Sequence, residues 1–186
     1  MNNQTVVQAL HYLIYKAGDG VMTKLYLLKT IYLADRYHLR QYGRTITNAK
    51  YVAMRLGPVP LEVKDTIEAG IKGKSDVRKL FVAERKGNHE TFKSVCTPCR
   101  DDLSDTEIEA LDAALDKFRE IGKGGIVTYT HNFPEWKNRK AELSDHCRFV
   151  PMDIEDFFLP ADPQVEYCPA DPELVKMNLD FYRGED

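Results

Sequence analysis

The sequence predicts a mainly α-helical (α+β) fold: a compact multi-helix domain with a small antiparallel β-hairpin, followed by a C-terminal strap and helix. Three observations lead there. Apolar residues recur at helical spacing in several long segments. One stretch between them reads as two short strands around a turn. After Leu159 the texture changes, because LPADPQVEYCPADP carries four of the nine prolines. The expected division is therefore a domain over residues 1–159 and a proline-rich strap with an amphipathic helix over residues 160–186.

In order along the chain, Val6, Val7, Leu10, Leu13, Ile14 and Ala17 form one stripe of a first helix. Gly18 and Gly20 end it. Thr23 is placed to cap a second helix that runs to about Tyr42, with Gly43 as its stop. TKLYLLKTIYLADRYHLRQY is apolar around most of its middle, so this helix is expected to be the most buried. RTITNAKYVAM then turns β-branched and aromatic, as in a short extended stretch. In GPVP, Gly57 and Val59 each precede a proline that fixes its own φ, which reads as a stiff connector aiming a third helix, about Leu61 to Ile71, at the second.

VRKLFVAERKGNHETFKSVCT predicts a hairpin with strands near Val77 to Glu84 and Thr91 to Thr97 around KGNH. Leu103-Ser104-Asp105-Thr106-Glu107-Ile108 combines a capping box, Ser104 with Glu107, and a hydrophobic staple, Leu103 with Ile108. The helix it opens carries Ile108, Leu111, Leu115, Phe118 and Ile121 inward and stops at Gly122. Two short helices are expected on either side of Pro134. Asp171-Pro172 then caps a last helix to about Tyr182, with Leu174, Met177 and Phe181 on one face. Two fates stand open for that face: folding back on its own domain, or lying in the groove of another protein.

Composition narrows the function classes. The 186 residues are 43% hydrophobic and 30% charged, as in an ordinary soluble domain. The N-terminus lacks a signal pattern and no apolar run reaches the length of a membrane span, so a cytoplasmic protein with four reduced cysteines and no membrane partner is expected. The net charge of −3 conceals an asymmetry: residues 1–100 hold 17 Lys and Arg against 8 Asp and Glu, while residues 101–186 hold 9 against 21. That pattern fits either internal screening or an acidic partner for the basic half.

Chemistry-bearing motifs are sparse. Cys96-Thr-Pro-Cys99 has the spacing of half a zinc site that Cys147, Cys168, His89, His131 and His146 could in principle complete, but a second close pair is missing. Reduced thiols with no metal and no cofactor are the expectation. Asp35 and His38 have the spacing of an acid and base on one helix face, a spacing that ordinary surface contacts also use, and the sequence contains no GxSxG, HExxH, P-loop or GxGxxG string. The chain is accordingly expected not to be an enzyme. A winged-helix DNA-binding regulator is the alternative, since Lys29, Arg36 and Arg40 share one side of helix two and Arg78, Lys79, Arg85, Lys86 and Lys93 decorate the hairpin. Glu62, Asp65 and Glu68 on helix three count against it.

Spaced motifs link these segments. They are Tyr32 to Asp35 (YLAD), Tyr42 to Thr47 (YGRTIT), Tyr51 to Ala53 (YVA), Gly57 to Pro60 (GPVP), then LSDTEIEALDAAL and Thr130 to Lys137 (THNFPEWK). Together, over roughly residues 5–145, they resemble the SocA-like antitoxin or Panacea domain family, which includes phage-encoded members. The resemblance implies a small helical antitoxin of a toxin-antitoxin pair, neutralising a cognate protein toxin by direct binding, with a cellular protease as a further partner if it acts as an adaptor. For anchors, Tyr37, Tyr42, Arg44, Tyr51 and Arg55 are side chains of the types that dominate interfaces. Leu174, Met177 and Phe181 offer an alternative surface.

Overall fold

The computed structural model describes residues 3–72, 76–86, 89–99 and 101–185. It is mainly helical with small antiparallel sheets. Helix α1 (Asn3–Ala17) and helix α2 (Lys24–Tyr42) come first along the chain, and the caps read from sequence are in place: Thr23 Oγ1 accepts from the Tyr26 amide, and Gly43 ends α2 at φ +73°. A Cβ at Gly43 would also approach Asn178 Oδ1 to 3.2 Å.

Helix α2 is surrounded. Its residues from Leu27 to Arg36 are all buried, among them Lys29, Asp35 and Arg36, and so are His38 and Arg40 towards its end. Helix α4 (Asp105–Ile121) packs along it, opened by the capping box in which Ser104 and Glu107 bond reciprocally. Leu103 and Ile108, the predicted staple, are both buried. Helix α5 (Ile126–Thr130) precedes Pro134, and helix α6 (Pro134–Lys137) starts at that proline and contains Trp136, as expected. Helix α3 (Leu61–Ile71) has the predicted bounds.

The segment Tyr51 to Pro60 corrects the reading of GPVP as a connector. Strand β1 (Tyr51–Met54) turns at Arg55-Leu56 and pairs antiparallel with strand β2 (Gly57–Pro60), so both prolines lie inside a ladder. The Leu61 amide donates to the Lys50 carbonyl at 2.9 Å. With the observed register, the hydrogen-bonded pairs are Val52–Val59 and Met54–Gly57, and the prolines fall where the ladder needs no donor. The carbonyl of Pro58 points away from β1 and accepts Lys29 Nζ at 2.7 Å.

A third strand, β5 (Phe149–Pro151), completes the order β2-β1-β5. Three residues ending in proline gave no local strand signal, and the pairing comes from β1, about a hundred residues earlier. The predicted hairpin forms from β3 (Phe81–Lys86) and β4 (His89–Ser94), shorter than expected because Asp76–Lys79 is a 3-10 turn. Two residues of its KGNH turn lie outside the described residues. Helix α7 (Pro172–Arg183) is capped by Asp171, whose carboxylate accepts from the Glu173 and Leu174 amides.

The GPVP glycine has a checkable role. Gly57 has φ +97°, and a Cβ there would lie 2.9 Å from both Lys29 Nζ and Thr130 Oγ1. Gly57→Ala is expected to cost about 2 to 4 kcal/mol, from left-handed backbone strain plus the displaced lysine. A urea titration checks this through a lower midpoint at unchanged slope.

Candidate functional site: the polar faces of α2 and the outer face of the last helix

Each charged residue buried in α2 is met by a downstream segment, and Arg36 and Arg40 share the Leu159 carbonyl. Asp35 accepts from the amides of Ile46 (2.8 Å) and Thr47 (3.1 Å), from the Thr47 hydroxyl and from the Tyr51 hydroxyl (2.7 Å). Burial pushes its carboxyl up, and these four donors oppose that. Asp35 therefore fastens the loop after Gly43 to the helix. It is not the partner of His38, whose ring bonds the Arg44 carbonyl and the Thr106 hydroxyl instead.

Arg36 is the centre of the second cluster. Its Nε donates to Glu135 Oε1 at 3.0 Å, its Nη1 to both oxygens of Glu166 (2.8 and 3.0 Å) and its Nη2 to the Leu159 carbonyl at 2.9 Å. Tyr32 also donates to Glu135 Oε1, at 2.6 Å. Burial works against the Arg36 charge, but the Glu135 and Glu166 carboxylates outweigh it and hold the guanidinium protonated. Its Cζ lies over the Phe133 ring, 4.5 Å from the centroid. One turn on, Arg40 Nη1 donates to the carbonyls of Phe157, Phe158 and Leu159.

The strap is thereby fixed to the domain. Tyr167 donates to the Leu33 carbonyl, Tyr129 to the Val165 carbonyl, and Asn178 Nδ2 to the Arg40 carbonyl at 2.9 Å, which satisfies one of the free carbonyls in the last turn of α2. Of the two fates open to the last helix, α7 takes the first, but with another face. Val175 and Asn178 are buried against the domain, whereas Met177 is 60% and Phe181 73% exposed and Leu174 is half-buried. Two apolar stripes run along α7, and a buried asparagine sits between the residues of the inner one. That asparagine hid the inner stripe from a periodicity argument.

The expected anchors separate accordingly. Tyr51 is buried and bonded to Asp35, so it braces the loop from within. Tyr37 and Tyr42 both donate to Glu109 of α4, with Tyr42 still 40% exposed. Arg44 pairs with Glu107 at 2.7 Å. Phe181 lies against Gly43 at the C-terminal end of α2, and Met177 shares its outer face of α7, whereas the Tyr42 ring is turned to Tyr37, His38 and Glu109. Arg55 stands elsewhere, at the tip of the β1–β2 turn, paired with Asp145.

The basic side chains weighed for DNA binding are also placed differently. Lys29, Arg36 and Arg40 are buried and spent on internal acceptors, because each meets a carbonyl or carboxylate brought by a later segment. The thiols of Cys96, Cys99, Cys147 and Cys168 are free. Among the described residues no group of His, Cys, Asp and Glu could hold a metal ion, and no helix is long and apolar enough to cross a membrane.

The motif segments are among those that meet α2: YGRTIT and YVA at Asp35, GPVP at Lys29, PEWK at Tyr32 and Arg36. The chain's second helix is thus the polar spine of a small helical domain. A family model described as "Antitoxin SocA-like, Panacea domain" matches residues 27–137, and the chain belongs to that family. Searches of curated proteins and of solved structures find no match.

Two tests follow from the spine. Glu166→Ala leaves the Arg36 Nη1 edge without its carboxylate, and is expected to lower stability by about 3 kcal/mol, read by thermal denaturation. Lys29 supplies the second. Burial lowers its pKa to about 7 from 10.5. Between those values the unfolded chain binds more protons than the folded one, so stability gained from deprotonation rises with pH. Relative to Lys29→Met, the wild type is expected to gain up to about 1.4 kcal/mol per pH unit across this window, measured by urea unfolding. A flat difference would mean that the amine stays charged in the fold.

Proposed function

We propose that the chain is an antitoxin that neutralises a cognate protein toxin by direct binding, through the surface shared by the end of α2 and the outer face of α7. The family membership supports the antitoxin role. The observation that carries the surface is the orientation of α7: a helix tethered by the Asn178 hydrogen bond turns Met177 and Phe181 to solvent, with Phe181 against Gly43 at the end of α2. Exposed side chains on an already ordered helix bind without a large ordering cost. Glu173, Asp180 and Glu185 surround the two apolar residues, with Lys176 the single cation among them, so the toxin's matching surface is apolar with a basic rim.

Truncation after Leu159 would not test this cleanly, because it also removes Glu166 from Arg36. Point substitutions on the solvent side do. The toxin is sought in the product of the adjacent reading frame. Co-expressed with it, the wild-type chain is expected to restore growth and co-purify, while Met177→Glu combined with Phe181→Glu loses both and keeps the wild-type melting temperature. Full rescue by the double variant would contradict the surface, and a neighbour that is harmless alone would contradict the role.

A further inference from the structure

At the opposite end of α2 lies a different feature. A groove of about 750 Å³ runs between the first turns of α2 and the tip of the β1–β2 turn. The 19 residues of α2 separate it from Tyr42 and Phe181 by about 28 Å. Its floor is apolar, made by Leu25, Leu28, Met54 and Val59, and Leu56 stands at its edge 57% exposed. A leucine at the apex of a two-residue turn has no part in the core, and polar or glycine residues are the usual occupants of such a site.

The rim carries charge of one sign in excess. Lys24, Arg55, Lys64 and Arg148 line it. Glu68 sits between Lys24 and Lys64, which also approaches Asp65, and Asp145 pairs with Arg55. Among the described residues Arg148 makes no ion pair. Lys29 closes the base of the groove beneath Gly57.

We infer that this groove is a second protein-docking site, which takes a short acidic segment of a partner with one large aliphatic side chain. The aliphatic group packs on Leu28, Met54 and Leu56, and carboxylates on either side pair with Arg148 and compete with Asp145 for Arg55. The charge of the rim selects the sign of the partner, and the apolar floor selects its anchor. This surface is opposite in charge to the α7 surface, so it recognises a different segment and stands whether or not the toxin binds at α7.

The probe is a fluorescein-labelled peptide in which pairs of Glu flank a single Leu, followed by fluorescence anisotropy. Two control peptides replace Leu by Ser, or Glu by Lys. The wild-type chain is expected to bind the Glu-Leu peptide and neither control, with affinity falling as salt rises. Leu56→Asp and Arg148→Glu are each expected to weaken binding at least about tenfold. Both positions are exposed, and unchanged melting temperatures show that the fold is kept. The inference fails if the Lys peptide binds equally, if both variants keep full affinity, or if nothing binds at about 1 mM. Sedimentation showing concentration-dependent self-association that Leu56→Asp abolishes would also overturn it, assigning the groove to a second copy of the chain.

Discussion

A guanidinium placed in the middle of a protein constrains everything near it. Arg36 cannot shed its proton, and its desolvation is tolerable only where carboxylates and carbonyls surround it in good geometry. Glu135 comes from a four-residue helix, Glu166 from the strap and the Leu159 carbonyl from the residue before it, and the Phe133 ring lies beneath the guanidinium. None of these segments has a substantial core of its own. Their common partner is one side chain of α2, and the position of that side chain fixes theirs.

The same logic extends along the helix. A buried aspartate holds the loop after α2, a buried lysine holds the edge strand with its two prolines, and a second buried arginine gathers the three carbonyls at the start of the strap. This accounts physically for motifs scattered over a hundred residues: they are the complements of polar groups spaced along one helix. The domain and its C-terminal extension are coupled by the same means, since Glu166, Tyr167 and Asn178 lie beyond residue 159 and bond to α2. Burial of so much charge is a costly route to stability, but it discriminates strongly against alternative packings, because any slip leaves an ion unpaired.

What was legible in the sequence divides along the range of the interaction. Thr23, Gly43, Ser104 with Glu107, and Asp171 act on neighbours within a turn, so residue identity and spacing were enough to place those helix ends. The burial of α2 was also legible from its apolar middle. Lys29, Arg36 and Arg40 were not, because a cation destined for a buried carboxylate has the same local signature as one on the surface. The outward turn of Met177 and Phe181 escaped for a related reason: the contact that orients α7 is Asn178 on the Arg40 carbonyl, a bond across 138 positions. Tyr51 shows the converse, an interface-like residue type recruited to the interior by Asp35.

The account makes the strap and α7 part of one cooperative unit with α2, and native-state hydrogen exchange tests that most directly. The amides of α7 that bond within its inner turns are predicted to exchange only through global unfolding, with the same free energy and the same urea dependence as those of α2. Exchange of α7 at a far lower free energy, while α2 stays protected, would show that the extension opens independently and would contradict the central role given to Arg36.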